Sequence, residues 1–215
     1  MKVKSFKGGF DNNFCYLIWC EDTMQAAIID PSIEPLDIFK FIEQSNIVLS
    51  KILITHTHYD HICCLSDFLP KYPDTKIYAY AKTRQSFNNN FLGINHNDTI
   101  SVGASVLNVL YTPGHYDDCL CYWNMKDKML FTGDTVFVGR AGRTINQYSN
   151  ISNLYKSIYN IILKLPGDTV IYPGHDYGDK PQITITDNIK SSSFFSSKSE
   201  EEFITVMNRF EKNRR

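Results

Sequence analysis

Apolar residues fall in short runs along the N-terminal part of the chain, at Val3–Phe6, Phe14–Cys20 and Ala26–Ile29, with GG and DN breaks between them. Runs of this length bounded by turn residues predict β-strands. The spacing then changes. Leu36, Ile38, Phe39, Phe41 and Ile42 follow Pro35 at intervals that predict a helix over Leu36–Gln44, and Ile52–Ile54 returns to a short apolar strand. Further strands are predicted at Lys76–Tyr80, Ser105–Leu110, Leu120–Trp123, Met129–Phe131 and Val170–Tyr172. Leu154, Ile158, Ile161 and Ile162 make one stripe of a helix over Ser152–Leu163, and a more polar helix is predicted over Glu200–Glu211. Only the serine-rich SSSFFSS at 191–197 reads as a loose segment. Strands interleaved with helices over 215 residues suit one domain, residues 1–215, of mixed sheets with outer helices.

One local pattern recurs four times: an apolar strand, then within a few residues a potential metal ligand. ILIT precedes His56, VLYTPG precedes His115, MLFTG precedes Asp134 and VIYPG precedes His175. In the two PGH instances Pro ends strand pairing and Gly lets the chain turn sharply, so the imidazole is presented beyond the strand end. The first instance carries a cluster, HTHYDH. His56 and His58, two apart in extended backbone, project to one side, while Asp60 and His61 lie at the following turn and can aim at a second point. Five of the six histidines are used in this way, and His96, in the polar turn NHND, is left as a solvated loop residue. Imidazole and carboxylate donors without thiolate suit zinc, iron or manganese. The expected assignment gives His56, His58 and His115 to one ion and Asp60, His61 and His175 to another, with Asp134 between them. Two divalent ions against Asp60, Asp134 and a bridging hydroxide leave one positive charge, enough to hold an oxyanion while hydroxide forms near neutral pH. That is a hydrolytic centre.

Charge narrows the partner. With 22 basic and 23 acidic side chains the chain has no electrostatic footprint for nucleic acid or an anionic membrane, which favours a small-molecule substrate. The start MKVKSFKGGFDNN lacks an apolar signal core, so a cytoplasmic location is expected. The six cysteines are then read as reduced and mostly buried thiols; none is spaced CxxC, and Cys63-Cys64 is too close for a relaxed bridge or a tetrahedral zinc site. No pattern speaks to oligomeric state.

In order, HTHYDH, PGH, GDT and PGHDY resemble the metallo-β-lactamase superfamily, from the early strands to about Phe195. The resemblance implies an α/β fold, an αββα sandwich of two mixed sheets flanked by helices, with a dinuclear site at one edge between the sheets. TGDTVF, GRAGRT and PGHDYG are further similar to the hydroxyacylglutathione hydrolase (glyoxalase II) group and its shorter relatives. This implies hydrolysis of a thioester such as an S-(2-hydroxyacyl)glutathione, two divalent ions with zinc first, Asp60 and Asp134 as the catalytic carboxylates, and a glutathione-type thiol conjugate as partner. Arg143 and Tyr177 match positions that contact the thiol carrier, and Arg140 could share that role. Similar stretches occur in persulfide dioxygenases, which hold one iron on the equivalents of His56, His115 and Asp134. A metal-holding protein without catalysis is a third possibility. The chain departs from the family pattern where Cys63-Cys64 replaces a glycine pair and where Tyr116-Asp117-Asp118 replaces a small flexible loop, and Thr144-Ile145 after the GRAGR segment departs from the T-D of the persulfide dioxygenases. Cys63 and Cys64 are expected to pack under the site.

Overall fold

The computed structural model describes residues 1–87 and 90–214. Two six-stranded sheets form its centre. The first runs in chain order through β1 (Lys2–Gly8), β2 (Asn13–Trp19), β3 (Gln25–Ile29), β4 (Val48–Leu53), β5 (Lys76–Tyr80) and β6 (Phe91–Ile94). Its first three strands pair antiparallel and the rest parallel. The second holds β7 (Thr99–Val102), β8 (Ser105–Tyr111), β9 (Leu120–Asn124), β10 (Met129–Gly133), β11 (Val170–Pro173) and β12 (Ile183–Thr184), again in chain order, with only β10 and β11 parallel. Both sheets are mixed, as expected.

Alternation within single strands explains the layering. In β2, Phe14, Tyr16 and Ile18 face the second sheet, while Cys15 and Leu17 face the helices behind. A strand covered on both faces is apolar at nearly every position, which is why this run was visible as continuous. The cluster between the sheets joins Phe14, Tyr16, Ile29 and Leu53 to Leu107, Val109, Tyr122, Phe131 and Tyr172. Burying one such large side chain contributes about 1.5–3 kcal/mol. Behind the first sheet, α1 (Leu36–Gln44) packs Ile38 and Ile42, and the short helices α2 (Tyr59–Ile62) and α3 (Leu65–Phe68) add Phe68. Behind the second, α4 (Ile151–Asn160), α5 (Ile185–Ser191) and α6 (Glu200–Asn213) supply Leu154, Ile158, Ile185, Phe203 and Met207. The order helix, sheet, sheet, helix is the expected sandwich.

Several expectations shift. The Ser152–Leu163 helix divides into α4 and a 3-10 turn at Ile162–Lys164. Strand β4 begins at Val48, before the apolar run that signalled it, because its ladder with β3 pairs Val48 and Leu49 and resumes at Lys51 after a register shift that skips Ser50. The 191–197 segment is not loose: Phe194 and Phe195 are buried in the core, and the Ser192 hydroxyl donates to the Gly139 carbonyl at 2.7 Å. Its serines satisfy backbone groups while its two rings provide the burial. Among the described residues no helix is long and apolar enough to cross a membrane.

Candidate metal centre

All five ligand-bearing segments meet at one edge of the sandwich. The loop after β4 carries His56 and His58, α2 carries Asp60 and His61, and the ends of β8, β10 and β11 lead to His115, Asp134 and His175. Backbone bonds stitch the two sheets there, from Leu120 N–H to the Thr55 carbonyl (2.7 Å) and from Phe14 N–H to the Gly174 carbonyl (2.8 Å).

Among the described residues, His56, His58 and His115 form one convergent group, Asp60, His61 and His175 a second, and His56, His61 and Asp134 a third that straddles them. His58 Nδ1 lies 2.9 Å from His56 Nε2 and 3.0 Å from His115 Nε2. Asp134 Oδ1 is 3.2 Å from His61 Nε2, and its Oδ2 is 3.4 Å from His175 Nε2 and 3.5 Å from His115 Nε2. Asp60 Oδ2 approaches His175 Nε2 at 3.3 Å. Each of the seven residues expected as a ligand therefore reaches the centre.

The far sides of the rings test whether ions fit. His115 Nδ1–H donates to the Arg143 carbonyl (2.9 Å) and His175 Nδ1–H to the Asp11 carbonyl (2.8 Å). His61 Nδ1–H donates to Asp30 Oδ2 (2.9 Å), and His56 Nδ1 lies 3.2 Å from Thr55 Oγ1, whose own hydroxyl donates to Asp30 (2.6 Å). Each of these rings thus commits its Nδ1 proton outward and turns Nε2 inward, as a lone pair on His56 and His115 and, once the second proton is displaced, on His61 and His175. In the first group His58 Nδ1 can donate to one neighbour only, so lone pairs face each other at hydrogen-bond distance. The buried Asp134 Oδ1 meets only the His61 ring, at 3.2 Å and without hydrogen-bond alignment, among the described residues. A divalent cation satisfies both conditions. Glycine makes room for it: a Cβ at Gly174 would lie 2.3 Å from Asp134 Oδ1 and 2.8 Å from His61 Cε1.

Electrostatics differ between the groups. Burial, reinforced by neighbouring imidazoles, lowers His56 and brings His58 down to about 4, so both are neutral at pH 7. For His175 burial pulls the same way, but the charge of Asp134 and bonds to Asp134 and Asp60 prevail and raise it to about 10; His61 is likewise raised, by Asp134 and Asp30 against burial. At pH 7 an ion entering the first group displaces few protons. One entering the second must displace those of His61 and His175, so its affinity should rise with pH up to about 10, by up to about tenfold per unit for each proton released. Calorimetric titration in buffers of different ionisation enthalpy measures this, and equal proton release for both ions would contradict the two-group assignment.

Two supporting residues, Asp30 and Asn13, escaped sequence reasoning, and a third, Asp118, was noted beside the site without a role. Asp30, buried at the end of β3, accepts from Thr55 N–H (2.7 Å), Thr55 Oγ1 and His61 Nδ1, and so orients two ligand rings at once. A signal existed: AIID is a fifth strand followed by a potential ligand. Asn13 donates to Asp60 Oδ2 at 2.9 Å. Asp118 accepts from Thr57 Oγ1 (2.5 Å) and Thr83 Oγ1 (2.7 Å), pinning the residue between His56 and His58. Asp30→Asn should keep the fold yet weaken metal binding about 10–100-fold, measured by competition with a chelator. Unchanged affinity would remove Asp30 from the support of the centre.

The other candidates lie as follows. Cys63 and Cys64 are half-buried, with Cys63 Sγ facing the Ser32 and Asp60 carbonyls at 3.5 and 3.8 Å, beneath the ligand helix and outside every convergent group. His96 is exposed and accepts from Tyr111 N–H. A cavity of about 300 Å³ opens over Asp60, Asp134, His115 and His175, with Arg143 and Tyr177 in its wall. Tyr177 stacks on His175 (4.7 Å between centroids, 1° between planes), and its hydroxyl donates to Asp11. Arg143 is already engaged: its Nε and Nη2 grip the two Glu211 oxygens of α6 at 2.8 and 2.7 Å.

Residues 8–175 match the metallo-beta-lactamase superfamily. A hydroxyacylglutathione hydrolase of Francisella philomiragia is 38% identical over 179 residues, 82% of this chain and 68% of that protein; one from Francisella tularensis subsp. novicida is 38% identical over 77% of this chain and 63% of its own length. The chain thus spans about two thirds of those relatives. A probable polyketide biosynthesis zinc-dependent hydrolase, BaeB of Bacillus velezensis, is 30% identical over 92% of this chain and 88% of its own. In fold, the crystal structure of ETHE1 from Myxococcus xanthus superposes with a TM-score of 0.87 at 32% identity, covering 98% of this chain and 91% of that one. With its sandwich, its ligand order and these relatives, the chain belongs to the metallo-β-lactamase superfamily and within it is similar to glyoxalase II.

Proposed function

We propose that this metal-dependent hydrolase cleaves thioesters at a two-ion centre held by His56, His58 and His115 on one side and Asp60, His61 and His175 on the other, with Asp134 between. The observation that carries the reading is that the groups at the mouth of the centre are already committed among the described residues, His115 and His175 with their rings turned to the ions and Asp11 accepting from the Tyr177 hydroxyl. No Ser, Cys or Lys lines the metal-side cavity among the described residues. Asp134 is held well below the usual carboxylate range, since His175 and His61 outweigh the upward push of burial, and Asp60 is lowered as well. Burial and the bond to Asp11 raise the Tyr177 phenol, whose proton is already committed. A leaving group that needs no protonation suits such a mouth. Thiolate departs unprotonated near neutral pH, whereas an amine does not.

Ions bound at this position supply hydroxide at neutral pH and a positive charge for the developing oxyanion. The chain's part is to keep the imidazoles neutral and aimed, through Asp30, Thr55 and the Arg143 and Asp11 carbonyls, and to offer a dry wall of Phe137 and Tyr177 beside them. The Francisella relatives, named for hydrolysis of a hydroxyacylglutathione, support a thioester, and the relative named zinc-dependent supports zinc. A glutathione-type carrier would lie along the same wall by Tyr177.

The test pairs metal content after air-free purification with two assays on one sample: hydrolysis of S-lactoylglutathione and of other thioesters, and oxygen uptake with glutathione persulfide. Hydrolysis with about two ions per chain is expected. One iron per chain with oxygen uptake and no hydrolysis would move the function to persulfide oxidation, at His56, His115 and Asp134.

A further inference from the structure

The cavity over the metal centre does not end at Arg143. At Arg140, Phe210 and Arg214 it adjoins a second cavity of about 290 Å³, which runs along α6 past Phe194 and Val206 to Arg209. Among the described residues three arginines and no carboxylate line this second part. Arg140 lies flat between two rings, its guanidinium 4.0 Å from the Tyr177 centroid and 5.8 Å from that of Phe210. Of its N–H groups only one at Nη2 has a partner, the Tyr177 carbonyl at 3.4 Å, while the buried Nε has none. Among the described residues Arg140, Arg209 and Arg214 make no ion pair, in contrast to Arg143, whose fork is filled by Glu211. Burial lowers the pKa of Arg140, and repulsion from Arg214 lowers it further. Arg140, half-buried with an unpartnered Nε, is the guanidinium that an anion would compensate, while the exposed Arg209 and Arg214 add positive charge at the outer end of the groove.

Resting on the thioester reading, we propose that this groove holds a thiol carrier longer than glutathione, a phosphate-terminated arm of the coenzyme A type, with its thiol end at the metals and its phosphate at Arg209 and Arg214. The order of surfaces matches that chemistry. Next to the centre stand Tyr177 and Arg140, then an apolar stretch of Phe210, Phe194 and Val206 suited to an uncharged chain of methylenes and amides, and last the exposed arginines. Guanidinium forks bind phosphate oxygens in pairs, and Arg209 with Arg214 at the outer end of the groove offer two such forks. Arg143 serves a different purpose in this arrangement: its bond to Glu211 holds α6 in place as the wall.

The experiment compares one acyl group on three thiols, coenzyme A, glutathione and N-acetylcysteamine, in the metal-loaded parent and in the R209Q/R214Q variant. A second readout is calorimetric binding of S-methyl coenzyme A and S-methylglutathione, which does not require turnover. The coenzyme A ester should exceed the N-acetylcysteamine ester at least about tenfold in kcat/KM, through KM, and the variant should erase about tenfold of that ratio. S-methyl coenzyme A should bind more tightly than S-methylglutathione and lose affinity in the variant and with added salt. A coenzyme A advantage that survives R209Q/R214Q, or a preference for glutathione in both assays, would overturn the proposal. If no thioester is cleaved while S-methyl coenzyme A still binds in an arginine-dependent way, the groove stands and the hydrolase reading fails; if it neither binds nor is cleaved, both fall.

Discussion

Asp134→Asn should strip the protein of metal and of activity together, with kcat/KM down about a hundredfold to several thousandfold and fewer than one ion retained per chain. The side chain hardly changes shape, so the effect isolates charge. Asp134 faces His61, His115 and His175 within 3.5 Å, and removing its charge leaves cationic or metal-facing groups without their counter-ion in a buried site. Breaking such a pair costs about 3–5 kcal/mol, and each 1.4 kcal/mol is roughly tenfold, which gives the stated loss. The His175 pKa should fall from about 10 toward its ordinary value, a change that NMR titration of the metal-free variant reads directly. His96→Ala, on the exposed turn, should alter neither metal nor rate. Two retained ions and a parental rate in Asp134→Asn would remove the residue from the centre.

Gly174→Ala is expected to be nearly as damaging although it adds one methyl group. That carbon would sit 2.3 Å from Asp134 Oδ1 and 3.1 Å from the Gly133 carbonyl carbon, so either the carboxylate or the β10–β11 seam must move. Overpacking of this kind costs about 1–3 kcal/mol, which the fold can absorb. The centre cannot, because displacing Asp134 disturbs both ligand groups at once. Activity should drop about a hundredfold or more and metal content should fall, while the circular dichroism spectrum stays native. A variant that is fully loaded and fully active would show that the close approach of Gly174 has no bearing on the ions.

The candidate ligands were legible in the sequence because His56, His115, Asp134 and His175 are each announced locally, by an apolar run and then by Gly or Thr just before the donor, with His58, Asp60 and His61 following the first of them. Layer order followed from the same local signals, as in β2, whose unbroken apolar text reflects cover on both faces. What escaped depends on distant partners. Asp118 earns its place through Thr57 and Thr83, 61 and 35 residues away, and Asn13 through Asp60, 47 residues away. No spacing rule connects such pairs. Strands β6 and β7 were missed because they are four residues long and half exposed, and they are recruited by pairing with β5 and β8. The fate of Arg143 was hidden for the same reason, since Glu211 reaches it from the far end of α6, 68 residues along the chain.

The division of the ligands between two sheets has a bearing on how the protein matures. His56, His58, Asp60 and His61 travel with the first sheet, while His115, Asp134 and His175 travel with the second. Neither half can assemble a complete ligand group, so tight loading has to wait until the halves have docked. Metal then acts as a clasp on a finished article, adding about 2.7 kcal/mol when free ion stands a hundredfold above its dissociation constant. That increment falls on the seam between the sheets, so an ion-starved cell would hold this protein folded but unlatched at the one edge where its chemistry takes place.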